Sequence, residues 1–421
     1  MSLKYGRTAA LAMCLLAATA SAHAVEALER YARIQALSAP GKDLDIYDPG
    51  ISSPKSVAFS SDGSKLYINS LEGEQTLVYS FPQLKPLKQI TYRFGKANNA
   101  LFQGNESTVF GYKYRGYAGP DYNTFSGKPV EMAFSHKGRY LWVPFYRRSF
   151  DPRAVSPSAI AIIDTRNDTM VRVMPTGPLP KFVAVSPDSR WVAVTHWGDN
   201  TIGLIDTRAE SSESFAYARH LVVGSRLNLD SVSGDRDKNC GFCLRGTVFV
   251  EDGKTLLVAR MGGGGIAGFD VASGSYLGTV SNIVTNPRHI VVSDDQQMLY
   301  VSGNQSGQIG RYSLPDILAR LKQAKGQVVA NRPGEALNVG KGARTIVLNH
   351  RNDELYAAIN NQSKLIRINL SKWTIDATVS VDPFAVGLAI SPDDRTIVTT
   401  SQGRAGLGGG NSVGLYRAKA D

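Results

Sequence analysis

The chain has little cysteine and little histidine, and it lacks several familiar motifs of metal and nucleotide sites. Its 421 residues include three cysteines and six histidines, too few for a disulfide-rich scaffold, and no two Cys or His pairs have the spacing of a zinc site. No His-Glu-x-x-His motif and no complete calcium loop occurs, and the four glycines at 262–265 are not followed by the Lys-Ser or Lys-Thr of a phosphate loop. We therefore predict no metal and no cofactor.

A long apolar run is also missing after the first residues, which themselves have the pattern of a secretory signal peptide. Lys4 and Arg7 precede a short apolar stretch at residues 9–20, and Ala22-His23-Ala24 forms a small-x-small cleavage site. The stretch is too short for a permanent transmembrane helix. We predict a signal peptide over residues 1–24 and one domain over 25–421, exported to the periplasm or secreted, soluble and without a membrane anchor.

Two cysteines, Cys240 and Cys243, follow the predicted cleavage site. Exported proteins fold in an oxidising compartment, where close cysteines usually form a disulfide. A redox Cys-x-x-Cys motif normally begins a helix, whereas residues 244–249 have the pattern of a strand. We therefore predict a structural disulfide between these two residues.

Positive charge exceeds negative charge. There are 47 Lys and Arg residues against 36 Asp and Glu, a formal charge of +11, and removal of Lys4 and Arg7 would leave +9. Such an excess favours anionic partners, which include nucleic acid, an anionic envelope polymer or membrane surface, and small acids. Many exported proteins are basic without such a partner, so the charge alone does not select among these.

A strand–turn–strand–loop–strand pattern recurs seven times and is clearest at residues 180–206. There a strand that ends at Val185 is followed by the turn residues Ser186-Pro187-Asp188 and by two further strands. The equivalent strand ends are Phe59, Phe134, Val185, Phe249, Val292, Leu348 and Ile390. Seven such units, of about four strands each, predict an all-β, seven-bladed β-propeller. The last unit lacks its fourth strand, so we expect a segment within residues 26–47 to supply it and close the circle.

Four long insertions interrupt the repeats, at residues 92–128, 144–157, 209–243 and 313–341. We expect them on one common face of the propeller, where inserted loops often carry function. The last insertion contains a short helix pattern that Ser313 can cap and Gly326 can end. Its predicted apolar face consists of Leu314, Ile317, Leu318 and Leu321.

The repeats resemble the exported YVTN-type β-propeller repeat over nearly the whole chain after residue 24. The nearest stretches are Tyr300-Val301-Ser302-Gly303 and Tyr67-Ile68-Asn69-Ser70. This resemblance implies an exported, mostly non-catalytic binding propeller, and nucleic-acid binding is known for some members of the family. The stretch Pro287-Arg288-His289 is similar to one blade of the phosphogluconolactonase-type propellers, which would imply lactonase activity.

Cationic residues recur four positions before the ends of the first strands. Five of the seven equivalent positions are cationic, namely Lys55, Lys181, Arg245, Arg288 and Arg344, whereas Val130 and Val386 fill the other two. If the blades radiate from a channel, these cations form a broken ring around its entrance and attract anions. The loops between second and third strands add Arg148 and Gln402 to this face, together with further candidate ligand-binding residues: Tyr146, Arg147, His196, Trp197, Arg260, Asn304, Asn360 and Arg404. Arginines and planar amides suit carboxylate or phosphate oxygens, and Trp197 and Tyr146 could stack on a sugar or a base.

The favoured interpretation is a non-catalytic binding protein that holds an anionic or polar ligand, or an envelope partner, at the channel mouth. The same cations could instead pair with the nearby carboxylates of Asp199, Asp235 and Asp237, or with Glu131. One alternative is a lactonase-like or metal-dependent hydrolase with Glu131 and His289 as an acid–base pair, or with oxygen ligands for a divalent cation from Glu131, Asp199, Asn304 and Asn360. Another is a protein-interaction platform built from the insertions at 92–128 and 313–341.

Overall fold

The computed structural model describes residues 27–36, 45–102, 110–115, 121–231, 233–403 and 411–418. Within these residues the strands form seven sheets, one for each predicted repeat, arranged as the blades of a β-propeller. The first strands of neighbouring blades contact one another around the axis. The predicted all-β, seven-bladed architecture is confirmed. The predicted signal peptide lies outside the described residues.

Each blade has four principal strands, counted from the axis outward. They are Pro54–Phe59, Lys65–Ser70, Gln75–Ser80 and Pro86–Thr91 in blade 1; Ala133–Ser135, Tyr140–Arg148, Ala159–Asp164 and Thr169–Pro175 in blade 2; Pro180–Val185, Trp191–His196, Thr201–Asp206 and Ala216–Val222 in blade 3; Leu244–Val250, Thr255–Arg260, Ile266–Asp270 and Tyr276–Ser281 in blade 4; Pro287–Val292, Met298–Gly303, Gln308–Ser313 and Glu335–Asn338 in blade 5; Ala343–Leu348, Glu354–Ile359, Lys364–Asn369 and Thr374–Ser380 in blade 6; and Ala385–Ile390, Ile397–Ser401, Ser412–Ala418 and Leu28–Gln35 in blade 7. The predicted strand ends all fall at or near the ends of first strands.

The core lies between neighbouring blades rather than within any one of them. The third strand of blade 2, Ala159–Asp164, is buried along its whole length, because its two faces pack against the sheets of blades 1 and 3. A strand that is covered on both sides reads as a continuous apolar run rather than as an alternating one. Each blade is therefore stable only with a neighbour on either side.

The N-terminal strand closes the circle. Leu28–Gln35 pairs antiparallel with Ser412–Ala418, and the short strand Asp45–Tyr47 adds a parallel edge outside it. Ala32 and Ile34 then pack against Val57 and Leu66 of blade 1. The predicted closure is confirmed, and it joins the two ends of the described chain in one sheet.

The predicted helix is also confirmed, over Leu314–Ala324, with the Ser313 hydroxyl accepting a hydrogen bond from the Asp316 amide. The apolar face packs against blades 4 and 5. The strand directions correct its expected location. The helix begins where the third strand of blade 5 ends. Because neighbouring strands are antiparallel, the third strand runs in the same direction as the first, so its end lies on the other face of the propeller from the starts of the first strands. The helix is therefore not on the face that carries the cationic positions. After it, Val328–Ala330 pairs with the outer strand of blade 4.

The insertion at 92–128 extends blade 2. Its strands Arg93–Phe94 and Phe125–Pro129 continue the sheet beside the long second strand of that blade. Gly127 permits the close contact, since a Cβ there would lie 2.6 Å from the Phe145 ring. Within the described segments, 3-10 helices occur at Lys96–Leu101, Ser212–Ser214 and Asn360–Gln362.

Cys240 and Cys243 are joined by a disulfide, as predicted. Among the described residues, no helix has the length and the apolar character needed to cross a membrane.

We expect the closing strand to determine the stability of the whole circle. Replacement Ile34→Ala removes a side chain with 0 % exposure and should lower the free energy of unfolding by about 2–5 kcal/mol in urea denaturation. Leu87→Ala is the matched control, because Leu87 lies on an outer strand and is 50 % exposed; its cost should stay within about 0.5 kcal/mol. Equal losses in both variants would contradict closure by this strand.

Candidate functional site

A β-bulge occurs at the same place in six of the seven blades. In blade 1, Pro54 pairs with Ser70 and Ser56 with Asn69, so Lys55 has no partner on the second strand. Equivalent register shifts occur beside Lys181, Arg245, Arg288, Arg344 and Val386. A bulge leaves one residue out of the ladder and changes the direction of its side chain. The repeated bulge therefore explains why the equivalent cation of five blades lies at the channel mouth.

The five cations surround a single pocket at this mouth, with a volume of about 450 Å3. We call Lys55, Lys181, Arg245, Arg288 and Arg344 the cation ring, and the cavity the mouth pocket. The other lining residues are Leu71, Glu72, Lys128, Val130, Tyr146, Trp197, Asp237 and Gln402. The structure thus brings together all five cationic positions identified in the repeats.

Arg245 and Lys181 of the cation ring have carboxylate partners among the described residues. Arg245 Nη2 lies 2.6 Å from Glu131 Oε1, and the Lys181 ammonium pairs with Asp237. At the rim, Lys128 and Glu72 pair at 2.5 Å. The alternative in which the cations pair with carboxylates therefore holds for part of the cation ring.

Lys55 and Arg288 are different. Among the described residues, no hydrogen bond or ion pair reaches the Lys55 ammonium, and the guanidinium of Arg288 makes only a 3.5 Å contact with Met261 Sδ. Burial lowers the pKa of Lys55 well below its usual value, and the nearby Arg344 and Arg245 lower it further. Burial and the charges of Arg344 and Arg245 likewise lower the pKa of Arg288. The fold holds like charges together without compensating them fully, which is characteristic of sites that bind an opposite charge.

Hydrogen bonds between blades fix the backbone of the cation ring. Ser302 Oγ on the second strand of blade 5 donates to the Arg344 carbonyl at 2.6 Å. Thr400 Oγ1 of blade 7 donates to the Lys55 carbonyl at 3.3 Å. These polar residues are buried near the ends of second strands that are otherwise apolar. Each bond joins the bulged residue of one blade to the second strand of the neighbouring blade, so these cations occupy fixed positions.

Lys181 lies among aromatic and acidic groups. Its ammonium is 4.0 Å from the centre of the Trp197 ring and 5.1 Å from that of Tyr146. Asp237 Oδ2 accepts a hydrogen bond from Tyr146 OH at 2.5 Å, and the Asp237 carbonyl accepts one from Trp197 Nε1 at 3.1 Å. Burial lowers the pKa of Lys181 to about 7 against the opposing effect of Asp237, with Arg245 and Arg288 adding to the decrease. Trp197 and Tyr146 thus already contact a cation of the protein.

Several predicted ligand-binding residues lie outside the mouth pocket. His196 is fully buried, with Nδ1 2.8 Å from Thr201 Oγ1 and Nε2 accepting from the Gly177 amide at 3.0 Å. Arg260 packs over Phe242, and Arg147 pairs with Asp235 at 3.2 Å. Asn304 donates to the Ala343 carbonyl, and Asn360 is buried within blade 6. Arg404 lies outside the described residues. The five described side chains of this group therefore do not line the pocket.

The residues of the hydrolase alternative have structural contacts of their own. Glu131 pairs with Arg245, as described above. His289 Nδ1 accepts a hydrogen bond from the Ile346 amide at 3.4 Å, and burial lowers the pKa of His289 to about 3. Asp199 is fully buried and accepts a hydrogen bond from Thr201 Oγ1 at 2.7 Å. Within the described part of the chain, no group of three or more His, Cys, Asp or Glu is arranged to hold a metal ion.

Sequence reasoning did not select Leu71, Glu72 or Lys128, and it named Asp237 only as a possible partner for the cations, although all four line the pocket together with the predicted loop residue Gln402. Asp237 lies in an inserted loop, and Lys128 lies on the strand that extends blade 2. Neither has an equivalent in the other blades, so the repeat pattern contains no signal for them.

No protein-family model matches the chain, and no curated protein matches its sequence. Solved structures do share its fold. A chain of Kuenenia stuttgartiensis hydrazine synthase aligns with a TM-score of 0.57 and 14 % identity, covering 88 % of this chain and 96 % of that chain. A chain from the crystal structure of a mitotic checkpoint complex aligns with a TM-score of 0.58 and 13 % identity, covering 98 % of this chain and 100 % of that chain. At these identities the similarity concerns the β-propeller fold alone.

The low pKa of Lys181 makes a prediction about stability. Because its pKa is about 7 when folded and about 10.4 in an unfolded chain, the unfolded state binds more protons between these values. The free energy of unfolding should therefore rise with pH over this range, by up to about 1.4 kcal/mol per pH unit from this residue.

Urea denaturation at a series of pH values measures this slope. The slope should be smaller in Lys181→Met, whereas Lys85→Met, which changes an exposed lysine in a turn of blade 1, should leave it unaltered. An equal slope in Lys181→Met and the unsubstituted protein would show that Lys181 titrates normally.

Proposed function

We propose that this protein is an exported, non-catalytic binding propeller that holds an anionic ligand in the mouth pocket. The observation that carries the proposal is the cation ring itself. Five cations from five blades line one cavity, and Lys55 and Arg288 have no carboxylate partner among the described residues. Low-dielectric walls strengthen the field of such a cluster and concentrate anions at its entrance.

The burial of two cations supports anion binding over a role in which the cations only solvate the rim. Arg245 and Arg344 are only 4 % and 7 % exposed, so their charges are largely removed from water. Burying like charges together is unfavourable unless a partner of opposite charge joins them. An anion in the pocket would supply that partner for Lys55 and Arg288, which have no carboxylate partner among the described residues, and would also accept charge-assisted hydrogen bonds.

Export is supported by the signal-peptide pattern of residues 1–24 and by the disulfide between Cys240 and Cys243. The resemblance to YVTN-type repeats agrees with an exported binding propeller and stays a prediction, as does the weaker lactonase resemblance. The β-propeller is a common scaffold for protein interactions, so a protein partner that presents acidic groups is included in the proposal.

Replacement of Lys55 should abolish anion binding while it raises the stability of the ligand-free protein. Lys55→Met keeps the apolar stem and removes a partly buried amine that has no partner among the described residues, so the ligand-free protein should gain about 1 kcal/mol of stability. The same change should abolish the stabilisation that anions give the unsubstituted protein. Differential scanning fluorimetry with pyrophosphate, heparin and a short single-stranded DNA, at low and high salt, measures both effects.

Lys85→Met is the control, since it removes one positive charge on the opposite face and should change neither quantity. If anions stabilise Lys55→Met as much as the unsubstituted protein, or if no anion stabilises either, binding at the mouth pocket is refuted.

Export has its own test. Mass spectrometry of the protein recovered from the periplasm or the medium of an expressing bacterium should show a chain that begins at Val25, because cleavage is expected after Ala24. Recovery only of the uncleaved chain from the cytoplasm would contradict export.

A further inference from the structure

The size, access and charge of the mouth pocket indicate which class of anion it binds. This inference rests on the proposed function. We propose that the ligand is a small oxyanion with two or three negative charges, such as a polycarboxylate or a phosphate compound, rather than an extended polyanion. Three features of the pocket lead to this proposal: its size, its one-sided access and its charge surplus.

The pocket is small, and its cations are deep. A liquid water molecule occupies about 30 Å3, so the cavity of about 450 Å3 holds roughly 15 water-sized groups. The nearly buried Arg245 and Arg344 are accessible only to a ligand that enters the mouth. A polymer backbone that lies across the face would contact rim residues such as Lys128 and Glu72 before it reached these arginines.

Access from the far side of the channel is restricted. One residue deeper than the cation ring, the rings of Phe182 in blade 3 and His289 in blade 5 lie 5.4 Å apart between their centres. Gly246 of blade 4 permits close packing of that blade on blade 5, because a Cβ there would lie 2.9 Å from the Arg288 carbonyl and the backbone of His289. These contacts narrow the channel below the pocket, which favours a ligand that enters and leaves through the mouth.

The net charge of the pocket indicates the charge of the ligand that would neutralise it. Among the described residues, the five cations of the cation ring lie near two carboxylates, Glu131 and Asp237, and the rim pair of Lys128 and Glu72 is neutral as a whole. The formal surplus of these groups is three positive charges when Lys55 and Lys181 are both protonated, and it decreases by one for each lysine that is neutral. A monovalent anion would leave most of the repulsion between Lys55, Arg288 and their neighbours, while a divalent or trivalent anion would cancel it.

The aromatic groups do not favour a nucleobase. Trp197 and Tyr146 contact the Lys181 ammonium, and Tyr146 also lies 4.4 Å from the guanidinium of Arg147. Binding of a nucleobase by stacking would compete with these cation–π contacts. The groups left for a ligand are therefore mainly ammonium and guanidinium donors, which suit carboxylate and phosphate oxygens.

Isothermal titration calorimetry of the full protein near pH 6.5 tests this proposal, with four probes: tricarballylate, inorganic pyrophosphate, acetate and a short single-stranded DNA. We expect one-to-one binding of tricarballylate or pyrophosphate and no measurable binding of acetate. The Kd of the small multivalent anion should rise about tenfold or more in Arg288→Gln, because a charged hydrogen-bond donor is lost. It should stay unchanged in Lys85→Met.

The outcomes separate the two proposals. If DNA binds and depends on Arg288 while tricarballylate and pyrophosphate do not bind, the small-anion inference is overturned and the anion-binding function stands. If acetate binds as tightly as tricarballylate, the charge argument is overturned. If no probe depends on Arg288, both proposals are overturned. A preference for pyrophosphate over tricarballylate would assign the ligand to the phosphates, and the reverse preference to the carboxylates.

Discussion

The pairing of Leu28–Gln35 with Ser412–Ala418 is the constraint on which the rest of the structure depends. Each blade buries its middle strands against both neighbours, so an open row of seven sheets would leave two apolar faces in water. Closure removes both faces at once. It also places the seven first strands around one axis. A residue that recurs at the same position of the repeats therefore lies close to its equivalents in the other blades.

The cation ring is the chemical result of this arrangement. A bulge at one position of the first strand turns a cation toward the axis in five blades, and Ser302 and Thr400 hold the adjacent carbonyls. The cluster opposes folding, since burial and mutual repulsion lower the pKa of Lys55 and Arg288. The large apolar core between the blades supplies the stability that lets such a cluster persist. Sites that are unfavourable in the free protein and are relieved by a ligand are common among binding proteins.

The repeats made most of the fold and half of the site predictable. A repeated pattern made three features predictable, namely the ends of the first strands, the need for a closing strand and the five cations. Because the pattern recurs from blade to blade, a strand that is ambiguous in one repeat can be located from the others. The features outside the repeats were harder to place. The helix at Leu314–Ala324 was expected on the face of the cation ring, but strand direction puts it at the other end of blade 5. His196 matched the loop pattern of a ligand-binding residue, yet Thr201 and the Gly177 amide satisfy both of its nitrogens. Asp237 could be named only as one of several possible carboxylate partners for the cations, because the folded insertion determines that it pairs with Lys181.

The most direct measurement is a crystal structure of the protein grown with a multivalent oxyanion such as tricarballylate or pyrophosphate. Our account predicts density for the anion inside the mouth pocket, with oxygens within hydrogen-bonding distance of Lys55 and Arg288. An empty pocket, with the anion bound elsewhere or nowhere, would contradict the claim that the cation ring is a binding site.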